Sequence, residues 1–431
     1  MLLNSKEKKS SMLKNVAAAI AGNALEFYEL TVYGFFAPVM AANFFPNASK
    51  LAGVADVFAI FFIGYLARPL GAVVFGWFGD TLGRKVTLLI SILLMAGSTS
   101  AIAFLPTYHS LGLLAPLLLL ILRLLQGISC GGEYAGSMIF LVEHAPKGQQ
   151  GFYGSFGEQG VGLGFLMAML TVWLINLSFS EAAVVSWAWR LPFLFGLLIG
   201  LLGWYMRRHV SETWVFIDAC IVPTNSSAIY YRYKVHLHSI VLIVGVTLFG
   251  MVIGHVCYVF FSVYASSVLN YTYHQALTVQ IISMSLLVLL LPAIGRLGDW
   301  IGRRRLLIFS IISSTLWTWP YFWLLQQNSL ALVLVAQLIM TVLTAFCFST
   351  YLVYAVEMVP AYVRFSMVGL GLALSDSIFG GMTPYVSTVL IEKTQSYLSL
   401  VVYIAVCALL SLFAIYRHWV RETKYTIKED W

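Results

Sequence analysis

Eight ionisable side chains stand within otherwise apolar stretches of this sequence: Glu26, Glu29, Arg68, Arg123, Glu133, Glu158, His255 and Asp376. A charge placed in hydrocarbon costs roughly 2.5–3.5 kcal/mol on insertion scales, so such groups persist where they pair, bind or move protons. Their spacing groups several of them. Arg123, Gln126, Cys130, Glu133 and Ser137 recur at three- and four-residue steps and share one helix face, while Asn23, Glu26, Glu29 and Tyr33 form a second stripe. A buried carboxylate beside a guanidinium can release its partner on protonation, because a buried ion trades partners but does not stand alone. Other chemistries find no foothold. The glycine clusters lie mid-helix and no Walker loop is present, so no ATP use and no enzyme site are expected. Cys130, Cys257, Cys347 and Cys407 fall in apolar runs and Cys220 in a polar one, without a Cys-x-x-Cys pair, which indicates neither a disulfide framework nor a metal site.

The elements that hold these residues are helices in lipid. The chain is 60% hydrophobic and 10% charged, whereas a soluble domain carries about 25% charge. Apolar runs recur throughout, each long enough for a hydrocarbon core that takes roughly 20 helical residues to cross. Twelve spans are predicted, at 16–42, 54–76, 86–105, 112–142, 151–177, 190–206, 239–266, 275–297, 306–326, 330–357, 364–391 and 397–416. The runs are uniformly apolar rather than short and alternating, which excludes a β-barrel. The net charge of +7 reports topology, not nucleic-acid binding. Of the 25 Lys and Arg, only Lys50, Arg190 and Lys393 fall on the side opposite the termini, and Arg68 and Arg123 fall inside the spans. Both termini are therefore expected in the cytoplasm, with the first helix retained rather than cleaved as a signal.

The chain also repeats itself. Gly76-Trp77-Phe78-Gly79-Asp80-Thr81-Leu82-Gly83-Arg84-Lys85 follows span 2, and Gly295-Arg296-Leu297-Gly298-Asp299-Trp300-Ile301-Gly302-Arg303-Arg304 follows span 8. Glu143 and Pro146 after span 4 recur as Glu357 and Pro360 after span 10. Two pseudo-symmetric six-helix halves are implied, residues 1–207 and 239–431, joined by a cytoplasmic linker at 208–238.

The doubled G-x-x-G-D-x-x-G-R-K/R loop resembles the signature of the major facilitator superfamily. Further segments resemble its metabolite:proton symporter family, which includes proline/betaine, α-ketoglutarate, citrate and shikimate carriers: Gly22-Asn23-Ala24-Leu25-Glu26-Phe27-Tyr28-Glu29, Arg68-Pro69-Leu70-Gly71, Arg123-Leu124-Leu125-Gln126-Gly127 with Gly131-Gly132-Glu133-Tyr134, and Trp189-Arg190-Leu191-Pro192-Phe193. The resemblance implies an all-α membrane protein of the major facilitator fold that moves a small organic acid or zwitterionic metabolite or osmolyte by alternating access. Protons, the solute and the lipid bilayer are its partners, the proton gradient drives it, no cofactor is needed, and a bacterial inner membrane is its expected place. A uniporter or exchanger of the same fold is the alternative, and a non-transporting sensor a more distant one. Asp80, Arg84, Glu143, Asp299, Arg303, Glu357 and Arg364 are the expected cytoplasmic gate, an Asp at a helix N-terminus and an Arg on an acid being its physical basis. Gln150 stands where the family has Arg, and Asp376 where relatives commonly carry Asn. Only about 15 residues follow span 12, so osmosensing through a coiled-coil tail is not expected.

Glu29 on span 1 and Arg123 on span 4 resemble the acid–arginine arrangement of proton-coupled sugar carriers, and a direct charge pair between them is the leading expectation for proton and solute coupling, with Gln126, Glu133, Asp376 and Glu26 as further candidates. Arg68 reads as a structural residue paired with Glu26, Glu133 or Glu158. Asp376 divides between a local contact to Ser375 or Ser377 and a functional role. His255 reads as a hydrogen-bonded packing element, and Tyr258, Tyr264 and Tyr385 as either path-lining or lipid-facing rings.

Overall fold

The computed structural model describes residues 5–82, 84–131, 133–208 and 226–429. Twelve long helices emerge among them: α1 (Ser5–Phe35, continued by Ala37–Phe44), α2 (Lys50–Leu66 and Arg68–Leu82), α3 (Arg84–Ala103), α4 (Leu114–Ser129 and Glu133–His144), α5 (Gln150–Ser178), α6 (Leu191–Arg208), α7 (Ser226–His255, a π-helical turn Val256–Phe260, and Phe261–Ser267), α8 (Tyr273–Ile301), α9 (Arg303–Leu325), α10 (Leu330–Phe348 and Tyr351–Glu357), α11 (Ala361–Ser375, a π-helical turn Asp376–Gly380, and Thr383–Thr394) and α12 (Leu398–Glu429). They follow the twelve predicted spans. One expectation shifts: α7 is already helical from Ser226, inside the stretch read as linker, and residues 209–225 lie outside the described ones.

Seven stretches among the described residues are long and apolar enough to cross a membrane outright, and their outer faces carry exposed Val241, Leu289, Val402, Leu409 and Phe413. Such a rim is stable only against lipid, where the backbone must satisfy its own hydrogen bonds as helix. Ends are set locally. Thr272 and Gln275 form a reciprocal cap at the start of α8, the Thr272 hydroxyl accepting from the Gln275 amide at 3.2 Å while Gln275 Oε1 accepts from the Thr272 amide at 3.0 Å. Gly302, the last glycine of the second repeated loop, turns α8 into α9 at φ +101°, a conformation that side chains rarely adopt.

Close approach positions the interior. A Cβ on Gly127 would stand 1.8 Å from the Gly64 carbonyl oxygen, so α2 and α4 meet backbone to backbone where each carries a buried arginine. The break at Pro69 and the break before Glu133 bring Arg68 and the second segment of α4 into the same interior.

Candidate functional site

Between the two sets of six helices lies a cavity in which the centres of water molecules can occupy about 60 Å³, room for roughly four to six waters or one compact solute. Phe27, Phe165, Tyr258 and Phe348 supply aromatic wall, with Glu158, His255 and Asp376 as its ionisable members. Glu158 on α5 accepts from Tyr134 of α4 and, at 3.2 Å, from Tyr351 of α10; the two hydroxyls also stand 3.3 Å apart. One acid thus gathers tyrosines from both halves.

Opposite, Arg68 forms an ion pair with Asp376, both about 4% exposed. The expected partners of Arg68 were Glu26, Glu133 or Glu158. The observed partner comes from the other half because the break at Pro69 turns Arg68 toward α11, and the π-turn there rotates Asp376 inward. Asp376 accordingly does not hydrogen-bond Ser375 or Ser377: Ser375 meets Thr247 at 2.7 Å and Ser377 donates to the Tyr65 carbonyl at 2.5 Å. The Arg68 guanidinium lies over the rings of Tyr65 at 4.2 Å and Phe27 at 5.8 Å. His255, at the start of the π-turn of α7, meets the Met251 carbonyl through Nδ1 at 2.9 Å. A Cβ on Gly380 would touch both the His255 ring and the Asp376 carboxylate, so imidazole and acid flank one glycine. The Cys257 carbonyl, in that same turn, accepts from Gln337 at 3.0 Å and Gln280 at 3.3 Å.

Glu29 and Arg123 are both buried, but no direct pair joins them. Arg123 donates to Gln126 Oε1 at 2.8 Å, Gln126 donates to Thr99 Oγ1 at 2.6 Å, and Thr99 donates to Glu29 Oε2 at 2.9 Å. Three hydrogen bonds through α3 replace the expected contact, since Thr99 and Gln126 fill the space between α1 and α4. Arg123 is held besides by Tyr33 at 4.5 Å and Phe61 at 5.1 Å. Glu26 and Glu29 line a second, smaller cavity with Ser91, Met95 and Ser129, apart from the central one. The two predicted stripes do meet: Ser137 donates to Asn23 at 2.8 Å, and Asn23 donates to the Gly157 carbonyl at 3.0 Å. The side chain of Glu133 lies outside the described residues.

The face that carries the termini is bridged across the halves. Asp299 accepts from the first amides of α5, Gly151 at 2.7 Å and Phe152 at 2.9 Å, an acid on a helix N-terminus. Arg303 binds Asp299 at 2.7 Å, Glu357 at 2.6 Å and Gln150 at 3.2 Å, and Arg364 binds Glu143 at 2.8 Å. The side chains of Asp80 and Arg84 lie outside the described residues. On the opposite face Trp173 donates to Thr278 at 3.0 Å, and Tyr273 donates to the Phe35 carbonyl. Cross-half bonds thus stand at both faces, on either side of the cavity.

Sequence reasoning passed over Thr99, Tyr134, Tyr351 and Phe27 as site residues. The signal for Tyr134 was there, since it stands directly after Glu133 in the helix 4 motif. Of the three tyrosines singled out, Tyr258 lines the cavity and hydrogen-bonds Thr341 at 3.1 Å, whereas Tyr264 packs on Phe322 away from it and Tyr385 is a half-buried packing residue.

The sequence pattern described as Major Facilitator Superfamily matches residues 19–384. The proline/betaine transporter of Escherichia coli (strain K12) is 30% identical over 411 residues, covering 93% of this chain and 82% of its own. The glycine betaine/proline/ectoine/pipecolic acid transporter OusA of Dickeya dadantii (strain 3937) is 30% identical over 409 residues, covering 93% and 81%. Among solved structures, a D-xylose-proton symporter shares the fold at a TM-score of 0.74 and 17% identity, covering 94% of this chain and 96% of that one. The chain belongs to the Major Facilitator Superfamily, a multi-pass membrane transporter and not an enzyme, with bacterial proline/betaine transporters among its relatives.

Proposed function

We propose that the chain is a proton-coupled symporter of a small zwitterionic metabolite or osmolyte of the proline/betaine kind, working by alternating access between residues 1–207 and 239–431, with both termini in the cytoplasm. The carrying observation is the cavity between the halves, with an arginine–aspartate pair beside one wall, an acid held by tyrosines at another and aromatic rings between. A quaternary or secondary ammonium is attracted to ring faces and to a carboxylate, and a carboxylate to a guanidinium, so a compact zwitterion satisfies both ends. The names of the relatives point to the same solutes.

The cross-half bonds of Asp299, Arg303, Glu143 and Arg364 act as the cytoplasmic gate. Each cycle must break them, and Asp80 and Arg84 are assigned the corresponding part in the first repeat. Uptake of labelled glycine betaine and proline into proteoliposomes is the test. An inside-alkaline gradient should drive accumulation, and a protonophore should abolish it. Equilibration that ignores the pH gradient would leave a uniporter or exchanger, and an absence of flux for both solutes would remove the zwitterion reading.

A further inference from the structure

The Arg68–Asp376 pair lies on the seam that must part during a cycle, and its hydrogen bonding is incomplete. A guanidinium offers five donors in a fork that fits both oxygens of one carboxylate. Asp376 engages one Nη through Oδ2, while the buried Nε and Nη2 of Arg68 have no hydrogen-bond partner among the described residues. Phe27, over which the guanidinium lies, and Asp376 itself both line the cavity. Arg68 does not itself line the cavity, but donors for a better carboxylate stand directly behind its wall.

The second observation concerns His255. Its Nδ1 faces the Met251 carbonyl at 2.9 Å. A carbonyl only accepts, so Nδ1 carries the hydrogen and Nε2 of the neutral ring is an acceptor. That Nε2 is buried without a hydrogen-bond partner among the described residues, on a ring that lines the cavity and turns its Cε1–Nδ1 edge toward the Asp376 carboxylate across Gly380. An ionised Asp376 has no hydrogen to give it. A protonated one does.

We propose that Asp376 is an internal stand-in for the solute's carboxylate, holding Arg68 in the empty carrier and yielding it when protonated. The step balances. One proton from solution adds to the Asp376 carboxylate, its bond to Arg68 breaks, and the new O–H donates to His255 Nε2. Arg68 then donates to both oxygens of the solute carboxylate. On the other side of the membrane solute and proton leave and the ion pair re-forms, so one proton travels with one carboxylate. Among the described residues, Arg68 of α2 and His255 of α7 stand against Asp376, and Glu158, Tyr134, Tyr258 and Tyr351 share its cavity; Tyr65 of α2, Glu26 of α1 and Cys130 and Tyr134 of α4 surround Arg68. Asp376 pairs with a buried arginine across the seam, which distinguishes it from Glu26 within the first half and from Glu158, whose cross-half partner is a tyrosine. This assignment rests on the symporter reading and adds to it the group that binds the carboxylate and the group that carries the proton.

The test is calorimetric titration of the purified chain with glycine betaine, acetate and choline in two buffers of different ionisation enthalpy. Wild type should take up about one proton per betaine bound and per acetate bound, and none with choline, which lacks the carboxylate. Asp376→Asn should bind betaine without proton uptake and without pH dependence, and the folded neutral pair Arg68→Gln/Asp376→Asn should lose betaine and acetate binding. In solute-free protein, the infrared acid-minus-base difference should contain a carboxylic C=O band that is missing in Asp376→Asn and in the double variant. Proton uptake unchanged in Asp376→Asn, betaine affinity kept in the double variant, or an infrared difference independent of Asp376 each overturns the assignment. Wild type that accumulates betaine but takes up no proton on binding it sinks the stand-in alone, whereas wild type that binds acetate with a proton and moves no betaine sinks the solute reading alone.

Discussion

Among the described residues of the first six helices, Arg68 and Arg123 are both buried, and they are held in different ways. Arg123 is tied within its own half, through Gln126 and Thr99 to Glu29 and against Tyr33 and Phe61. Arg68 reaches out of its half to Asp376. Phe61 and Tyr65, tilted rings with centroids 4.6 Å apart, carry one guanidinium each, Arg123 on Phe61 and Arg68 on Tyr65. A network within one half can ride through the whole cycle unbroken, but a bond across the seam must be made and broken each time. On the proposed cycle the difference gives coupling to Arg68 and scaffolding to Arg123, and substitution can break that reading.

The largest effect is expected at Arg68. Arg68→Gln leaves a buried carboxylate without its ion, which costs about 3–5 kcal/mol when a buried pair is split. Adding Asp376→Asn should restore most of that stability, because a neutral pair needs no compensation, while uptake stays lost. Thermal unfolding in detergent and proteoliposome uptake measure the two separately. If the double variant is no more stable than Arg68→Gln, the pair is not what holds Arg68.

The contact between α2 and α4, which carry the two arginines, comes next. Gly127→Val puts side-chain atoms where the Gly64 carbonyl stands, with the added Cβ at 1.8 Å, and backbone rather than a flexible side chain is in the way. A loss of about 3 kcal/mol, the upper end for overpacking, is expected in unfolding experiments. Gly97→Val meets nothing within 4 Å and serves as the control. Equal melting temperatures for the two variants would mean that α2 and α4 can separate freely, and the comparison of their arginines would lose its frame.

Glu29→Gln is expected to matter less. A Gln amide oxygen still accepts the Thr99 hydroxyl, so the chain of bonds to Arg123 survives and uptake should stay within about twofold, a change of less than roughly 0.5 kcal/mol. Accumulation and its pH dependence should both persist. Were accumulation lost in Glu29→Gln while exchange continued, the proton would belong to Glu29, and the within-half network would be the coupling element after all.

The twelve helices and the repeated loops were legible because hydrophobic length and glycine-acid-arginine spacing are local properties. The acid and arginine of the repeated loop were readable for the same reason, but not that Asp299 caps α5, whose Gly151 lies 148 positions away. The partner of Arg68 was not. Periodicity reports which residues share a face of one helix, and Asp376 lies 308 positions away on a helix of the other half, turned inward by a π-turn that no residue pattern announces. Thr99 was missed for a related reason: a lone threonine in an apolar run most often bonds its own helix, as Thr99 also does to the Met95 carbonyl at 2.9 Å. Charge and burial could be anticipated, but not pairing across helices.

The smallest effect tests the comparison from the opposite direction, by adding a cross-half bond rather than removing one. Gln150 on α5 accepts from Arg303 at 3.2 Å and from the Gly148 amide at 3.0 Å, while its counterpart in the repeat, Arg364 on α11, holds Glu143 as a charge pair. Gln150→Arg would place a second cation beside Glu357 and Asp299, completing on one side of the face what exists on the other. Glu357 is 31% exposed at its side chain, and ion pairs this open to water contribute about 0–1 kcal/mol. The closed state of this face should gain by at most about fivefold, and the gain should shrink in high salt. A cysteine replacing Ser155, which packs at the Gly295 contact between α5 and α8, should label more slowly by that factor at low ionic strength. Faster labelling would mean that repulsion from Arg303 outweighs attraction to the two acids. Bonds across the seam would then depend on local charge crowding more than on their number, and what separates Arg68 from Arg123 would be the charges that surround each guanidinium rather than whether its bond crosses the halves.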